Sequence, residues 1–168
     1  MKFLFTVVLG LVLLTFESVV VRYLGLAVTR IDVTVALVVF LALRAGTIEG
    51  AVSSFSVGYL LDVMSGNPTG LYPFLAVLVF LVARLGAALV DAKSPVAYVT
   101  FVAGADLGHG LLAAFFTWLT SKEGQVPTAS LSGLPLQVAL TVGAAILLWP
   151  LLRRFESAQD RPAPGLLR

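Results

Sequence analysis

Apolar runs dominate this sequence and leave few folds open to it. Phe3 to Val21 carries one ionisable side chain, Glu17, and further apolar runs follow at 33–43, 71–90, 95–120 and 134–152, with a less greasy stretch over 46–70. Hydrophobic residues make up 59% of the chain, charged residues 12%, and mean hydropathy is +1.01, a balance that predicts an integral membrane protein. The expected fold is all-α: a polytopic helical bundle of six transmembrane helices, or five if the second and third runs merge. Residues 1–152 would form one transmembrane domain, and 153–168, with Pro162 and Pro164, a short disordered cytoplasmic tail. No small-x-small cleavage site follows the first run, since Thr15-Phe16-Glu17-Ser18 is a poor match, so the run reads as an uncleaved helix. The absence of cysteine excludes a disulfide framework, an iron–sulfur cluster and a thiolate zinc site.

The second run, Val33 to Leu43, is too short for its place. It covers roughly 17 Å at 1.5 Å per residue, against a hydrocarbon core of about 30 Å. It must borrow flanking turns or be buried against its neighbours. Asp32 and Thr29 suit its amino end, favourably placed against the helix dipole.

Over 46–70 small or polar residues recur at every fourth position: Gly46, Gly50, Ser54, Gly58, Asp62, Gly66 and Gly70. On a helix these fall on nearly one face, and Gly50, Ser54 and Gly58 make a groove that another helix can approach closely. The groove is expected at a helix contact and as a partner surface. Asp62 lies toward the carboxyl end of that helix, where the dipole disfavours its charge unless donors or a cation such as Arg22 or Arg30 compensate. Two roles stay open for it: a structural cap that ties the loop Ser65 to Gly70, or a group that also shapes a partner site. The glycine-rich turn is no phosphate cradle, because it has no following lysine and does not open from a strand.

Three ionisable residues fall inside other runs. Arg84 lies in the fourth, and Asp106 and His109 lie one helical turn apart in the fifth, near the bilayer midplane. An unpaired charge there costs a few kcal/mol, which predicts a polar network, most simply with Asp106 paired to Arg84; a proton or cation pathway is the alternative. One histidine and one aspartate supply too few ligands for a metal site unless others join from elsewhere. No cofactor is expected.

Lysines and arginines orient the bundle. With six spans and the amino terminus inside, Lys2, Arg44, Lys93, Arg153, Arg154, Arg161 and Arg168 fall on the inner side, and Arg22, Arg30 and Lys122 on the outer. That bias places both termini in the cytoplasm and Asp62 to Gly70 outside, and the basic pI gives no support for nucleic-acid binding. Enzyme templates fit poorly. Asp62 follows Leu61 and Asp106 follows Gly-Ala, unlike the Y-D and G-x-G-D motifs of intramembrane aspartyl proteases; Ser54 and Ser56 lack the G-x-S-x-G setting of a serine protease. The chain reads as non-catalytic.

The run Gly58-Tyr-Leu-Leu-Asp62-Val-Met-Ser-Gly66-Asn-Pro-Thr-Gly70 resembles the G-L-L-x-D-x-x-x-G-x-x-x-G segment of the rod shape-determining protein MreD family. Arg30-Ile31-Asp32 is similar to that family's R-P-D, with isoleucine at the proline position. The resemblance implies a component of the bacterial cell-wall elongation machinery in the inner membrane. Its direct partner would be the bitopic protein MreC, and through the complex it would stand beside MreB, RodZ, RodA and a class B penicillin-binding transpeptidase. The alternative is a transporter module such as the vitamin-binding S component of an energy-coupling factor transporter. Those modules dock through A-x-x-x-A in the first helix, whereas the first alanine here is Ala27.

Because the chain is naturally free of cysteine, orientation is directly testable. A membrane-impermeant maleimide should label a Thr69→Cys variant in intact cells and label Ala163→Cys only after lysis. The reverse pattern would invert the bundle.

Overall fold

A computed structural model describes residues 2–23, 31–65, 70–88, 94–120 and 128–159. Among the described residues six helices follow one another: α1 (Lys2–Tyr23), α2 (Val33–Arg44), α3 (Thr47–Met64), α4 (Leu71–Ala87), α5 (Pro95–Thr120) and α6 (Thr128–Gln159). Short α2 is the centre of the bundle. It contacts each of the other five, and they close around it through α1–α3, α3–α4, α4–α5 and α5–α6 contacts. Every residue from Asp32 to Ala42 is buried, with Ala36, Val39 and Ala42 fully so.

The composition of α2 explains this position. Its sequence VTVALVVFLALR has no polar face, and a helix apolar all round must be surrounded. Several of its residues are β-branched and only modest helix formers, so surrounding contacts rather than propensity hold the helix. Of the two outcomes expected for so short a run, burial against neighbours is the one realised. The two-residue link Ala45–Gly46 separates α2 from α3 with extended backbone, ψ 162° and 154°, so the two runs remain distinct and the five-helix option does not hold.

Two boundaries differ from those read off the sequence. The last helix begins at Thr128 rather than Leu134, carrying Pro135 within it, and continues to Gln159 rather than stopping at Leu152. Leu134 is buried on Gly110 of α5, where an added Cβ would collide with it, and that contact anchors the early turns despite the proline. At the other end the first seven residues of the expected tail extend the helix; 160–168 lie outside the described residues. Helix α4 ends at Ala87, three residues short of its expected end.

Polarity runs inside out. Asp32, Thr34, Ser53, Ser54, Asp62, Asp106, His109 and Thr141 are buried, while Phe16, Phe55, Leu85, Leu111 and Leu147 are exposed on the outer helices. Among the described residues two helical segments, Pro95–Phe116 and Ser132–Arg154, are long and apolar enough to cross a membrane; Thr6–Val20, Val33–Arg44 and Leu71–Ala87 are shorter apolar helices.

The tightest helix pair is α3 against α4. A Cβ on Gly58 would lie 2.7 Å from the Tyr72 carbonyl oxygen and 2.8 Å from Pro73 Cα, both backbone atoms that cannot swing away. At Gly104 on α5 a Cβ would meet nothing within 4 Å. Gly58→Ala should therefore cost about 1–3 kcal/mol of stability through overpacking. Gly104→Ala should be neutral or gain up to about 1 kcal/mol, since alanine is the better helix former. Unfolding in mild detergent, followed by helical circular dichroism, distinguishes the two.

Candidate functional site

The expected groove is a helix contact, but its occupant is internal. Gly50 faces the ring of Phe80, Gly58 faces Tyr72, Pro73 and Ala76, and all four partners belong to α4. Ser54 is fully buried between them in sequence, and its hydroxyl makes no hydrogen bond, so it serves by being small. The helix contact expected at Gly50, Ser54 and Gly58 is thus made within the chain, with α4 lying over Gly50 and Gly58.

At the end of this contact Asp62 ties the two helices together. Its Oδ2 accepts a 2.9 Å hydrogen bond from the Gly70 N–H, and the Ser65 hydroxyl donates to the Asp62 carbonyl at 2.6 Å. Gly70 has φ +75°, a left-handed conformation suited to glycine, and it is the residue from which α4 starts. The carboxylate is 1% exposed. The structural role open in the sequence is thus realised: one aspartate holds the end of α3 to the beginning of α4. Gly66 lies outside the described residues, as does Arg30. The side chain of Arg22, the other cation considered for Asp62, is likewise not described.

A second polar group forms around the amino end of α2. Asp32 caps that helix, its Oδ1 accepting from the Val35 N–H at 3.2 Å, and its own N–H donates to Thr141 Oγ1 of α6 at 3.0 Å. Asp32 Oδ2 meets His109 Nδ1 at 2.8 Å. Asp106 Oδ1 accepts from Gln137 Nε2 of α6 at 3.0 Å, while its Oδ2 makes no hydrogen bond. Asp32, Asp106 and His109 bring one ligand-capable atom each to within 4.8 Å of one another, and all three side chains are buried. A cavity of about 10 Å³, roughly one water in size, adjoins His109 and is lined by Thr34 and Tyr72 among others.

Asp106 and His109 therefore do share a network, but Arg84 stands elsewhere. Its Nη1 donates to the carbonyls of Ala42 and Ala45, both at 2.8 Å, at the opposite end of α2. These are carbonyls that a helix leaves unpaired at its carboxyl end, and a guanidinium also suits the negative pole of the dipole there. The expected Asp106–Arg84 pair does not form because the two side chains are engaged at opposite ends of α2, Arg84 with the carbonyls of Ala42 and Ala45 and Asp106 beside Asp32. Near Arg84's end, Arg44 and Arg153 both reach over the ring of Trp149, 5.7 and 5.8 Å from its centre, and Tyr98 stacks on the same ring.

Sequence reasoning gave Asp32 to the cap alone and missed Gln137 and Thr141. Asp32 and Asp106 are far apart in sequence, and no local spacing announces that they meet. A lateral groove of about 930 Å³ runs between α4 and α5, apolar along most of its length, with Gly104 and Gly108 on its floor and His109 toward one end. Comparison of the chain with protein-family models, with curated proteins and with solved structures gives no match.

Two variants separate the polar devices. Asp62→Ala strands the Gly70 N–H and should lower stability by about 1–3 kcal/mol, with Asp62→Asn, which retains an acceptor, losing less. Arg84→Met removes two charge-assisted hydrogen bonds from the end of α2 and should cost about 2–5 kcal/mol, with Arg84→Lys recovering part of it. Detergent-solubilised thermal unfolding reads both.

Proposed function

We propose that this chain is a non-catalytic, multi-pass component of the bacterial inner membrane, similar to MreD, that assembles the cell-wall elongation machinery by binding a bitopic MreC-type protein. The observation that carries the reading is the architecture of Gly58 to Gly70. The residues that bear the resemblance have distinct jobs: Gly58 permits the close α3–α4 contact, Asp62 accepts from Gly70, and Gly70 supplies the left-handed turn into α4. Three members of the motif with separate physical tasks are better support than a string match.

The inside-out polarity supports a six-span membrane topology in which α2 is shielded by protein and need not match the bilayer thickness. Convergence of Arg44 and Arg153 on Trp149 supports placing both at one interface, the cytoplasmic one by the positive-inside rule. In this account the bundle acts by holding MreC, and through it the MreB filament, RodZ, RodA and the transpeptidase come into one complex, maintaining rod shape.

Co-expression with the MreC-type protein of the same organism and co-purification in mild detergent tests the reading. The expected result is a stable complex. A folded chain that fails to retain MreC, and is instead stabilised against heat by a vitamin, would favour the transporter module. The α4–α5 groove is the feature that would then matter, although its lining offers a hydrophilic ligand little beyond Ser94, Thr100 and His109.

A further inference from the structure

The geometry points to a divalent-cation site at the amino end of α2, formed by Asp32, Asp106 and His109 and suited to zinc. Three features carry it. First, one oxygen of each carboxylate is oriented by a hydrogen bond from outside the cluster: Asp32 Oδ1 accepts from Val35 N–H and Asp106 Oδ1 from Gln137. Such outer hydrogen bonds orient the ligands of metal sites. Second, Asp106 Oδ2 is buried in a fully buried side chain and makes no hydrogen bond, an expensive position for a carboxylate oxygen that a metal bond would satisfy. Third, the three residues come from α2 and α5, yet their candidate ligand atoms lie within 4.8 Å of one another.

A cation at about 2.0–2.2 Å from each of three ligand atoms in tetrahedral array spaces them about 3.3–3.6 Å apart, so Asp32 Oδ2 and His109 Nδ1 would part from 2.8 Å and any pair nearer the 4.8 Å limit would draw together. The imidazole proton then resides on Nε2 and Nδ1 binds the metal. Two carboxylates and a neutral imidazole balance a doubly charged ion, so the buried group becomes electrically neutral. A donor set of one nitrogen and two oxygens suits zinc or manganese better than calcium or copper(I). Zinc takes four ligands, and a water would complete the three that these side chains supply. The ion would fasten the start of α2 to α5, adding a bond between two helices where Arg84 supplies the corresponding closure at the other end. This role is independent of any partner.

Cobalt(II) titration of the metal-stripped protein, purified by a tag without histidine, tests the site. One equivalent should bind per chain, produce visible ligand-field bands, and be displaced by one equivalent of zinc. Asp106→Asn preserves volume and an acceptor for Gln137, and should weaken binding at least about tenfold, as should His109→Gln. If either variant fails to fold, zinc X-ray absorption on the original chain decides, with one imidazole nitrogen among nitrogen and oxygen ligands at about 2.0–2.1 Å expected. Substoichiometric binding by the folded original protein would overturn the site. Unchanged binding by folded Asp106→Asn, or a zinc shell lacking imidazole, would do the same.

Discussion

The fold depends on closing both ends of a short helix that lies inside the protein. Helix α2 has twelve residues and no polar face, so its sides are satisfied by apolar neighbours, but its terminal N–H and C=O groups are not. Buried away from water, each such group costs about as much as a lost hydrogen bond. The amino end is closed by Asp32, itself held by Thr141 and His109; the carboxyl end is closed by the Arg84 guanidinium. Negative charge stands at the positive pole of the helix and positive charge at the negative pole. Three other helices supply these groups, α4, α5 and α6, so closing α2 also fixes how they pack.

The remaining polar residues follow the same logic of satisfying backbone where water is absent. Asp62 does for the α3–α4 turn what Arg84 does for α2, Asp62 within eight residues and Arg84 across 42. Small residues then set distance. Gly50 and Gly58 let α4 lie directly on α3, and Gly110 receives Leu134 of α6. On the membrane reading, where the surrounding medium would be as apolar as the side chains, contacts of this kind would hold the helices together, since there is little hydrophobic gain in bringing them close. The exposed face of α5 around Leu107 and Leu111 carries no such close contact, consistent with its role as outer surface.

Local chemistry was legible in the sequence and long-range pairing was not. The four-residue period of Gly50, Ser54 and Gly58 announces a close helix contact, and Asp62 with the downstream glycines announces a tied turn; both are there. The period cannot say which helix fills the groove, and in this structure it is α4. The shortness of 33–43 likewise announces burial or borrowed turns, and burial is the outcome. Arg84 and Asp106 show the limit. Charge complementarity alone suggests that they pair, whereas the carbonyls at the end of α2 are a nearer and equally demanding partner for a guanidinium. Asp32 joins Asp106 and His109 only because α2 begins at their depth in the bundle, which depends on the packing of all six helices.

The central claim is that α2 is shielded on every side while the outer helices face lipid. It is tested most directly by methyl NMR of the protein in nanodiscs containing a lipid with a nitroxide on its acyl chain. The account predicts that Leu37, Val38 and Val39 methyls stay sharp while Leu107, Leu111, Ile146 and Leu147 broaden strongly. Equal broadening of Leu37 and Leu147 would contradict the shielded central helix, and sharp signals throughout would contradict the membrane placement of the bundle.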